Sequence, residues 1–213
     1  TSNKRRKVER NIMVNVNKHE IFPTVVYQFN CGFNDLNALD VTQMDTYILA
    51  NENVDMVNQS KDGLQNLSTF RKLVDIVHEQ NEQYLNDLKY KFDKVEITSM
   101  WSNHLKPNQS HPPHTHSNNL LSGVFYLHSE FPASPIQFFD PRVQSSVLAP
   151  RKESNKYNSN MVQFNCLPCT GYIFPAWLQH WVPPTPVDRI SVSWNIIVRG
   201  EYGEVGTFQN ANI

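Results

Sequence analysis

The stretch GYIFPAWLQHWVPPTPVDRISVSWNIIV (residues 171–198) decides which fold the sequence predicts. Its two ends are rich in aromatic and β-branched residues, and a loop rich in Pro and Trp separates them, which is typical of two β-strands. In the second strand polar and apolar residues alternate, and the polar set is Arg189, Ser191, Ser193 and Asn195. Since the side chains of a strand point alternately to its two faces, one face is polar. Such a face lies either against solvent or along a pocket inside a barrel.

The same pattern of strand-like segments separated by turn residues extends upstream to Val95. Short apolar and β-branched segments recur between clusters of Pro, Asn and Ser: VEITSMWSN (95–103), LLSGVFYL (120–127), IQFF (136–139) and MVQFN (161–165). Short strands with turn signals between them predict an antiparallel β-sandwich or barrel. The C-terminal two-thirds of the chain are therefore predicted to be rich in β-structure.

The N-terminal third has a different pattern. The segment IFPTVVYQFN (21–30) favours a strand, and apolar residues at helical spacing predict helices at about 35–52 and 69–89. Asn34 or Asp35 is the expected N-cap of the first helix, because both residue types accept hydrogen bonds from the free N–H groups of a helix start. We expect a mainly β protein with N-terminal helices.

Composition and charge limit the kinds of function that the chain can have. With 213 residues, 39% of them hydrophobic, the chain suits one globular domain, which we place at 21–213 after a basic, flexible tail at 1–20. A formal net charge of −1 gives no general attraction to nucleic acid or anionic membranes. There is no apolar run of membrane-spanning length and no secretory segment, and three cysteines are too few for a disulfide framework. We therefore expect a cytoplasmic protein (for a phage protein, in the cytoplasm of its infected host) with no membrane or nucleic-acid partner.

Histidines cluster in HPPHTHSNNLLSGVFYLH (111–128), which holds four of the eight in the chain. Such a cluster is either an accumulation of loop residues or a metal site. His114 and His116 stand two positions apart, so both rings point the same way in extended backbone, and His180 follows a later strand. A non-haem iron site usually takes two histidines and one carboxylate on one side of the metal. We expect His111 to lie at the rim of any such site.

Arg189 and Ser191 follow His180 at the start of the next predicted strand. If the two strands are antiparallel neighbours, the guanidinium lies deeper in the barrel than a metal at His180. A dicarboxylate that binds the metal at one end could then present its far carboxylate to Arg189, with the Ser191 hydroxyl as a further donor. Tyr126, on the strand after the histidine pair, could donate to the same carboxylate.

Four motifs together resemble the iron(II)- and 2-oxoglutarate-dependent oxygenase superfamily: HTHSNNLLSGVFYL, FFDPR, GYIFPAWLQHWVPP and RISVSWN. They are most similar to a group of oxygenases from marine bacteria and their phages that is related in pattern to prolyl hydroxylases. The resemblance implies a double-stranded β-helix, which is a cupin-like jelly roll, flanked by N-terminal helices. It also implies His114 and His180 as metal ligands, Arg189 with Ser191 as the 2-oxoglutarate anchor, and Tyr126 beside that anchor.

The third metal ligand departs from the usual pattern of the superfamily. Many members have Asp or Glu where this chain has His116, which would make a three-histidine site. Two alternatives stay open: water completes a two-histidine site, or Asp140 of the DPR motif reaches the metal. Asn103 and Asn195 are further candidates for binding the metal-bound end of the cosubstrate.

The resemblance implies an Fe(II)- and 2-oxoglutarate-dependent dioxygenase that uses O2. It would hydroxylate a C–H bond of a second substrate, a peptide or a small molecule, and release succinate and CO2. Trp177 and Trp181 flank His180 and would shape the substrate cleft and exclude water. Two other functions stay open: a non-catalytic jelly-roll module that binds metal, and a three-histidine dioxygenase that does not use 2-oxoglutarate. Arg189 argues against both, because neither needs a carboxylate anchor.

Overall fold

Two helices and a β-sandwich make up the part of the chain that the computed structural model describes, residues 17–53, 58–142 and 151–213. The helices are α1 (Ala38–Ala50) and α2 (Arg71–Asp87), and 3-10 turns at Leu64–Asn66 and Ser68–Phe70 lead into α2. The strands are β1 (Tyr27–Asn30), β2 (Lys94–Leu105), β3 (His111–His114), β4 (Leu121–Ser129), β5 (Ile136–Phe139), β6 (Met161–Phe164), β7 (Thr170–Pro175), β8 (His180–Val182), β9 (Arg189–Arg199), β10 (Glu201–Tyr202) and β11 (Ala211–Asn212). The predicted basic tail falls mostly on residues 1–16, which lie outside the described residues.

The strands pair antiparallel in two main sheets. One sheet has the order β1-β7-β4-β9-β2 and the other the order β3-β8-β5-β6, while β10 and β11 form a separate two-stranded sheet. Side chains from both main sheets meet in one buried apolar cluster that includes Val124, Tyr126, Ile136, Phe138, Tyr172 and Phe174. The two sheets therefore pack face to face, which confirms the prediction of a mainly β fold with N-terminal helices.

The helices cover the opposite face of the five-stranded sheet. A second buried cluster joins Met44 of α1 and Leu73 of α2 to Phe125 of β4 and Trp194 of β9. Alternation along β9 thus turns its apolar residues toward the helices and leaves Arg189 and its polar neighbours facing the other sheet. This division places a polar strand face inside the sandwich, where a site can form.

Helix α1 begins later than the sequence predicted. The Asn37 side chain accepts hydrogen bonds from the backbone N–H groups of Leu39 and Asp40 at 2.9 and 3.0 Å, and the Asp40 carboxylate accepts one from the Asn37 N–H at 3.0 Å. This capping box fixes the helix start at Ala38, so the expectation of Asn34 or Asp35 as N-cap was wrong. Neither of the described helices is long and apolar enough to cross a membrane.

Candidate metal centre and its cavity

The ends of two neighbouring strands bring three histidines together. His114 ends β3 and lies directly opposite His180, the first residue of β8. His116 follows β3, and its backbone N–H donates to the Ala176 carbonyl at 2.9 Å, which fixes the loop beside β8. One ligand atom from each of these three histidines lies within 4.8 Å of the other two, so the group could hold one metal ion.

Backbone carbonyls orient two of the three rings. Nδ1 of His114 lies 2.8 Å from the Pro112 carbonyl oxygen, and Nδ1 of His180 lies 2.9 Å from that of Leu178. Because a carbonyl oxygen only accepts, both Nδ1 atoms carry the hydrogen, and Nε2 keeps its lone pair. His180 Nε2 lies 3.4 Å from His116 Nε2. Two nitrogens that bind one metal at about 2.1 Å and at right angles lie about 3 Å apart, so this spacing suits shared coordination.

The electrostatics of the cluster favour neutral imidazoles. Burial, with a smaller contribution from the neighbouring histidines, lowers the pKa of His116 to about 4 and that of His180 to about 3. Burial also lowers the pKa of His114. A metal binds the neutral form of imidazole, so the three rings are ready to coordinate at neutral pH without losing a proton.

Asp140 lies apart from the three histidines. It follows β5, and its carboxylate accepts hydrogen bonds from the Arg142 guanidinium at 2.9 and 2.7 Å. The Arg142 backbone N–H donates to the same carboxylate at 2.9 Å. Among the described residues, the group that could hold a metal contains His116 and not Asp140. The geometry therefore favours the three-histidine alternative over a ligand from the DPR motif.

A narrow cavity extends from the histidines to Arg189. Its wall includes Asn103 of β2 and Ser191 and Ser193 of β9, together with the three histidines. Asn103 donates to the Ser193 hydroxyl at 3.3 Å. The cavity volume is about 40 Å³, which is room for about three water molecules, so lining side chains must shift if a five-carbon dicarboxylate binds.

Arg189 is a buried cation without a carboxylate partner among the described residues. Only 3% of it is exposed, its Nη2 donates to the Tyr126 hydroxyl at 3.0 Å, and its Nε is buried without a hydrogen-bond partner there. The adjacent Asp188 does not neutralise it, because the Asp188 carboxylate lies 3.1 Å from His104 Nε2 instead. The unpaired guanidinium at the inner end of the cavity fits an anionic ligand.

Asn195 was expected to contact the cosubstrate. In the structure its side chain bonds to other residues of its own sheet. Its side-chain oxygen accepts from the Ser122 hydroxyl at 2.7 Å, and its amide donates to the Ser99 hydroxyl at 2.9 Å. These bonds link β9 to both of its neighbouring strands, and Asn195 is not part of the cavity wall. Its polar groups are therefore used within the sheet.

Neither of the two tryptophans beside His180 lines this cavity. Trp177 is 56% exposed. Trp181 follows His180 on β8, so its side chain points to the opposite face of the sheet, where its ring packs 6.5 Å from that of Phe139. A role of either tryptophan at a substrate cleft stays a prediction.

Trp101 and His111 line the cavity instead, and neither was expected there. The Trp101 ring lies 5.8 Å from the His116 ring. Trp101 shares a strand face with Asn103, so alternation along β2 could have identified it. His111 was placed at the rim, but the register of β3 against β8 shifts between His111 and His114, which turns both rings to the same region. The sequence carries no signal for that irregularity.

Comparison with known protein families gives a match over less than half of the chain. Residues 99–195 match the model of a protein family described as "Putative 2OG-Fe(II) oxygenase", where 2OG is 2-oxoglutarate. The matched range contains all three clustered histidines and Arg189. No curated protein sequence matches the chain.

Solved structures resemble the chain in fold. A prolyl-4-hydroxylase from Pseudomonas putida is 11% identical, with a TM-score of 0.55 over 83% of this chain and 89% of that one. A truncated viral collagen prolyl hydroxylase from Paramecium bursaria Chlorella virus-1 is 12% identical, with a TM-score of 0.54 over 86% and 98%. SnoN, a non-haem α-ketoglutarate-dependent epimerase from nogalamycin biosynthesis, is 12% identical, with a TM-score of 0.55 over 87% and 81%. At these identities the likeness concerns the fold, and it confirms the double-stranded β-helix.

Proposed function

We propose that this chain is a 2OG-Fe(II) oxygenase that binds Fe(II) through His114, His116 and His180 and 2-oxoglutarate through Arg189. The match of residues 99–195 to the family model supports Fe(II) and 2-oxoglutarate as its cofactors. The residue assignment rests on one observation: three neutral imidazoles line the same cavity as a buried guanidinium that has no carboxylate partner among the described residues.

The imidazoles hold the metal from one side. His114 and His180 are oriented by carbonyls at their Nδ1 atoms, so their Nε2 lone pairs are directed away from the backbone that holds them. Bound iron would supply the oxygen chemistry of the family, in which 2-oxoglutarate is oxidised to succinate and CO2 while the second substrate is oxidised. A site of three imidazoles carries one negative charge less than the usual two-histidine, one-carboxylate set, so bound anions contribute more of the charge balance.

Arg189 holds the far carboxylate of 2-oxoglutarate. A guanidinium that is buried without a counter-ion is costly, and a carboxylate offers it two parallel charge-assisted hydrogen bonds. The Ser191 hydroxyl lies along the same cavity wall and is the next donor. Tyr126 acts through Arg189, because its hydroxyl accepts from Nη2 and holds the guanidinium at the inner end of the cavity.

Arg189 also separates this function from the two alternatives. A structural metal site, or a three-histidine dioxygenase without 2-oxoglutarate, gives no reason for a buried arginine that lacks a carboxylate partner beside the metal residues. We propose hydroxylation of a C–H bond as the outcome, since two of the similar structures are named prolyl hydroxylases. The substrate that is hydroxylated is a peptide or a small molecule.

Succinate formation tests this function. Purified protein is supplied with Fe(II), 2-oxoglutarate and air, and succinate is measured over hours at high enzyme concentration, with and without oxygen. We expect oxygen-dependent succinate from the wild type and none above background from His180→Ala. Equal succinate in both proteins, or none in either, would contradict the proposed function.

A further inference from the structure

His111 is a fourth histidine in the cavity. It begins β3 opposite Val182 of β8, and its ring lies 4.5 Å from the ring of His114. Its Nδ1 atom is buried and has no hydrogen-bond partner among the described residues. A buried polar nitrogen of this kind is costly unless a ligand or water satisfies it.

The position of His111 differs from that of a metal ligand. The group of described residues that could share one metal contains the other three histidines and leaves His111 out. Burial lowers the pKa of His111 to about 4, with smaller effects from His114 and Arg189, which the nearby Pro112 carbonyl opposes. His111 lines the same cavity as the three metal histidines and Arg189.

A neutral imidazole at this place can donate a hydrogen bond to an anion. One ring nitrogen of a neutral imidazole carries a hydrogen, so Nδ1 is a donor in one of the two tautomers. A ligand that reaches from the metal histidines to Arg189 occupies the cavity that His111 lines. Its oxygen atoms would be acceptors for the buried Nδ1 atom.

We propose that His111 is a further 2-oxoglutarate-binding residue, whose imidazole donates a hydrogen bond to the cosubstrate in the cavity that the metal histidines and Arg189 also line. This inference rests on the proposed function, since it needs 2-oxoglutarate in the cavity. It assigns a role to the first histidine of the HPPHTH motif, which the metal site does not use.

Three variants of the full chain test the proposal. His111→Phe and His111→Leu remove the donor, whereas His111→Asn keeps an amide N–H near the position of Nδ1. Each protein is loaded with Zn(II), which is redox-inert, metal content is measured, and 2-oxoglutarate affinity is determined by calorimetry. We expect stoichiometric metal in all three. Affinity should fall at least about tenfold in the Phe and Leu variants, as expected for a lost hydrogen bond to a charged acceptor, and less than about threefold in the Asn variant.

The outcomes separate this inference from the function on which it rests. If the wild type binds 2-oxoglutarate and the Phe and Leu variants bind it equally well, His111 has no such role and the proposed function stands. Loss of metal from the Phe and Leu variants would make His111 a metal ligand and overturn the inference. A metal-loaded wild type that does not bind 2-oxoglutarate would overturn the proposed function itself. If the Phe variant does not fold, the comparison of Leu with Asn decides.

Discussion

The Arg189 guanidinium donates to the Tyr126 hydroxyl at 3.0 Å and lies 4.7 Å from the centre of the same ring. The two residues come from β9 and β4, which are neighbours in the five-stranded sheet. The contact fixes the guanidinium without neutralising it, since a phenol is uncharged at neutral pH. The arginine is thus held in place for an anion that the described residues do not supply.

Replacing Arg189 should therefore cost affinity for 2-oxoglutarate. Arg189→Met removes the charge and keeps most of the side-chain length. Losing one partner of a buried charge pair typically costs about 2–5 kcal/mol, so affinity should fall at least about thirtyfold while metal content stays stoichiometric. The matched control is Arg199→Met on the same strand, where the guanidinium pairs with Glu96 at 2.9 and 3.0 Å, far from the cavity. Equal affinities in the two variants, measured by calorimetry, would remove Arg189 from the site.

Metal content separates the alternatives for the third ligand. His180→Ala should abolish stoichiometric Fe(II) binding, and His116→Ala should weaken it, because the nitrogens of both rings lie in the one group that could share a metal. Asp140→Asn should keep the metal, since its carboxylate bonds to Arg142. His128→Ala is the matched control, an exposed histidine on β4. Full metal in His116→Ala together with loss in Asp140→Asn would assign the third position to the carboxylate.

Gly123 should not tolerate a side chain. It lies opposite Trp194 on β9, and a Cβ at this position would stand 2.2 Å from the indole of that fully buried tryptophan. Since the ring has no room to move, Gly123→Ala should lower the free energy of unfolding by about 1–3 kcal/mol. At Gly32 the nearest atom would be 3.4 Å away, so Gly32→Ala is the control. Urea unfolding that gives the same stability for both variants would contradict the packing at Gly123.

The stability contributed by Glu52 should depend on pH. Burial alone would raise the pKa of Glu52, but hydrogen bonds from His104 and Lys106 outweigh it, so the pKa is lowered. A carboxyl whose folded pKa is depressed stabilises the protein above its unfolded pKa, about 4.3. That contribution is lost as pH falls through the folded value.

Urea unfolding of wild type and Glu52→Gln checks this effect. The wild type should be more stable at about pH 7, and the difference should shrink at about pH 3.5. Glu79→Gln, an exposed position on α2, controls for general acid destabilisation. A Glu52→Gln difference that is absent at pH 7, or that is equally large at the acidic pH, would contradict the coupling between Glu52 and His104.

The sequence predicted much of the fold because its apolar residues recur at clear strand or helix spacing. Strands β2, β4 and β9 and the helix that became α2 follow from alternation and helical spacing. The short strands β3 and β8, which carry the histidines, were not predicted as strands. The start of α1 did not follow, because Asn34, Asp35 and Asn37 are all good capping residues. Only the reciprocal bonds between Asn37 and Asp40 decide among them.

The candidate site was predictable where strand geometry determines it. His114 and His116 face one way because they are two apart, and antiparallel pairing brings His180 opposite His114. His111 was misplaced because a register irregularity, which local sequence does not encode, turns its ring inward. Trp181 faces away from this cavity because neighbours on one strand point to opposite faces.

Anaerobic titration of the Fe(II)-loaded wild type with 2-oxoglutarate tests the central claim most directly. The claim is that three histidines hold Fe(II) and that Arg189 holds 2-oxoglutarate in the same cavity. We predict a visible absorption band that needs both Fe(II) and 2-oxoglutarate and saturates at one equivalent of the cosubstrate. The same titration should give no band in His180→Ala and should need far more 2-oxoglutarate in Arg189→Met. Absence of the band in iron-loaded wild type at saturating 2-oxoglutarate, or an unchanged titration in Arg189→Met, would contradict the claim.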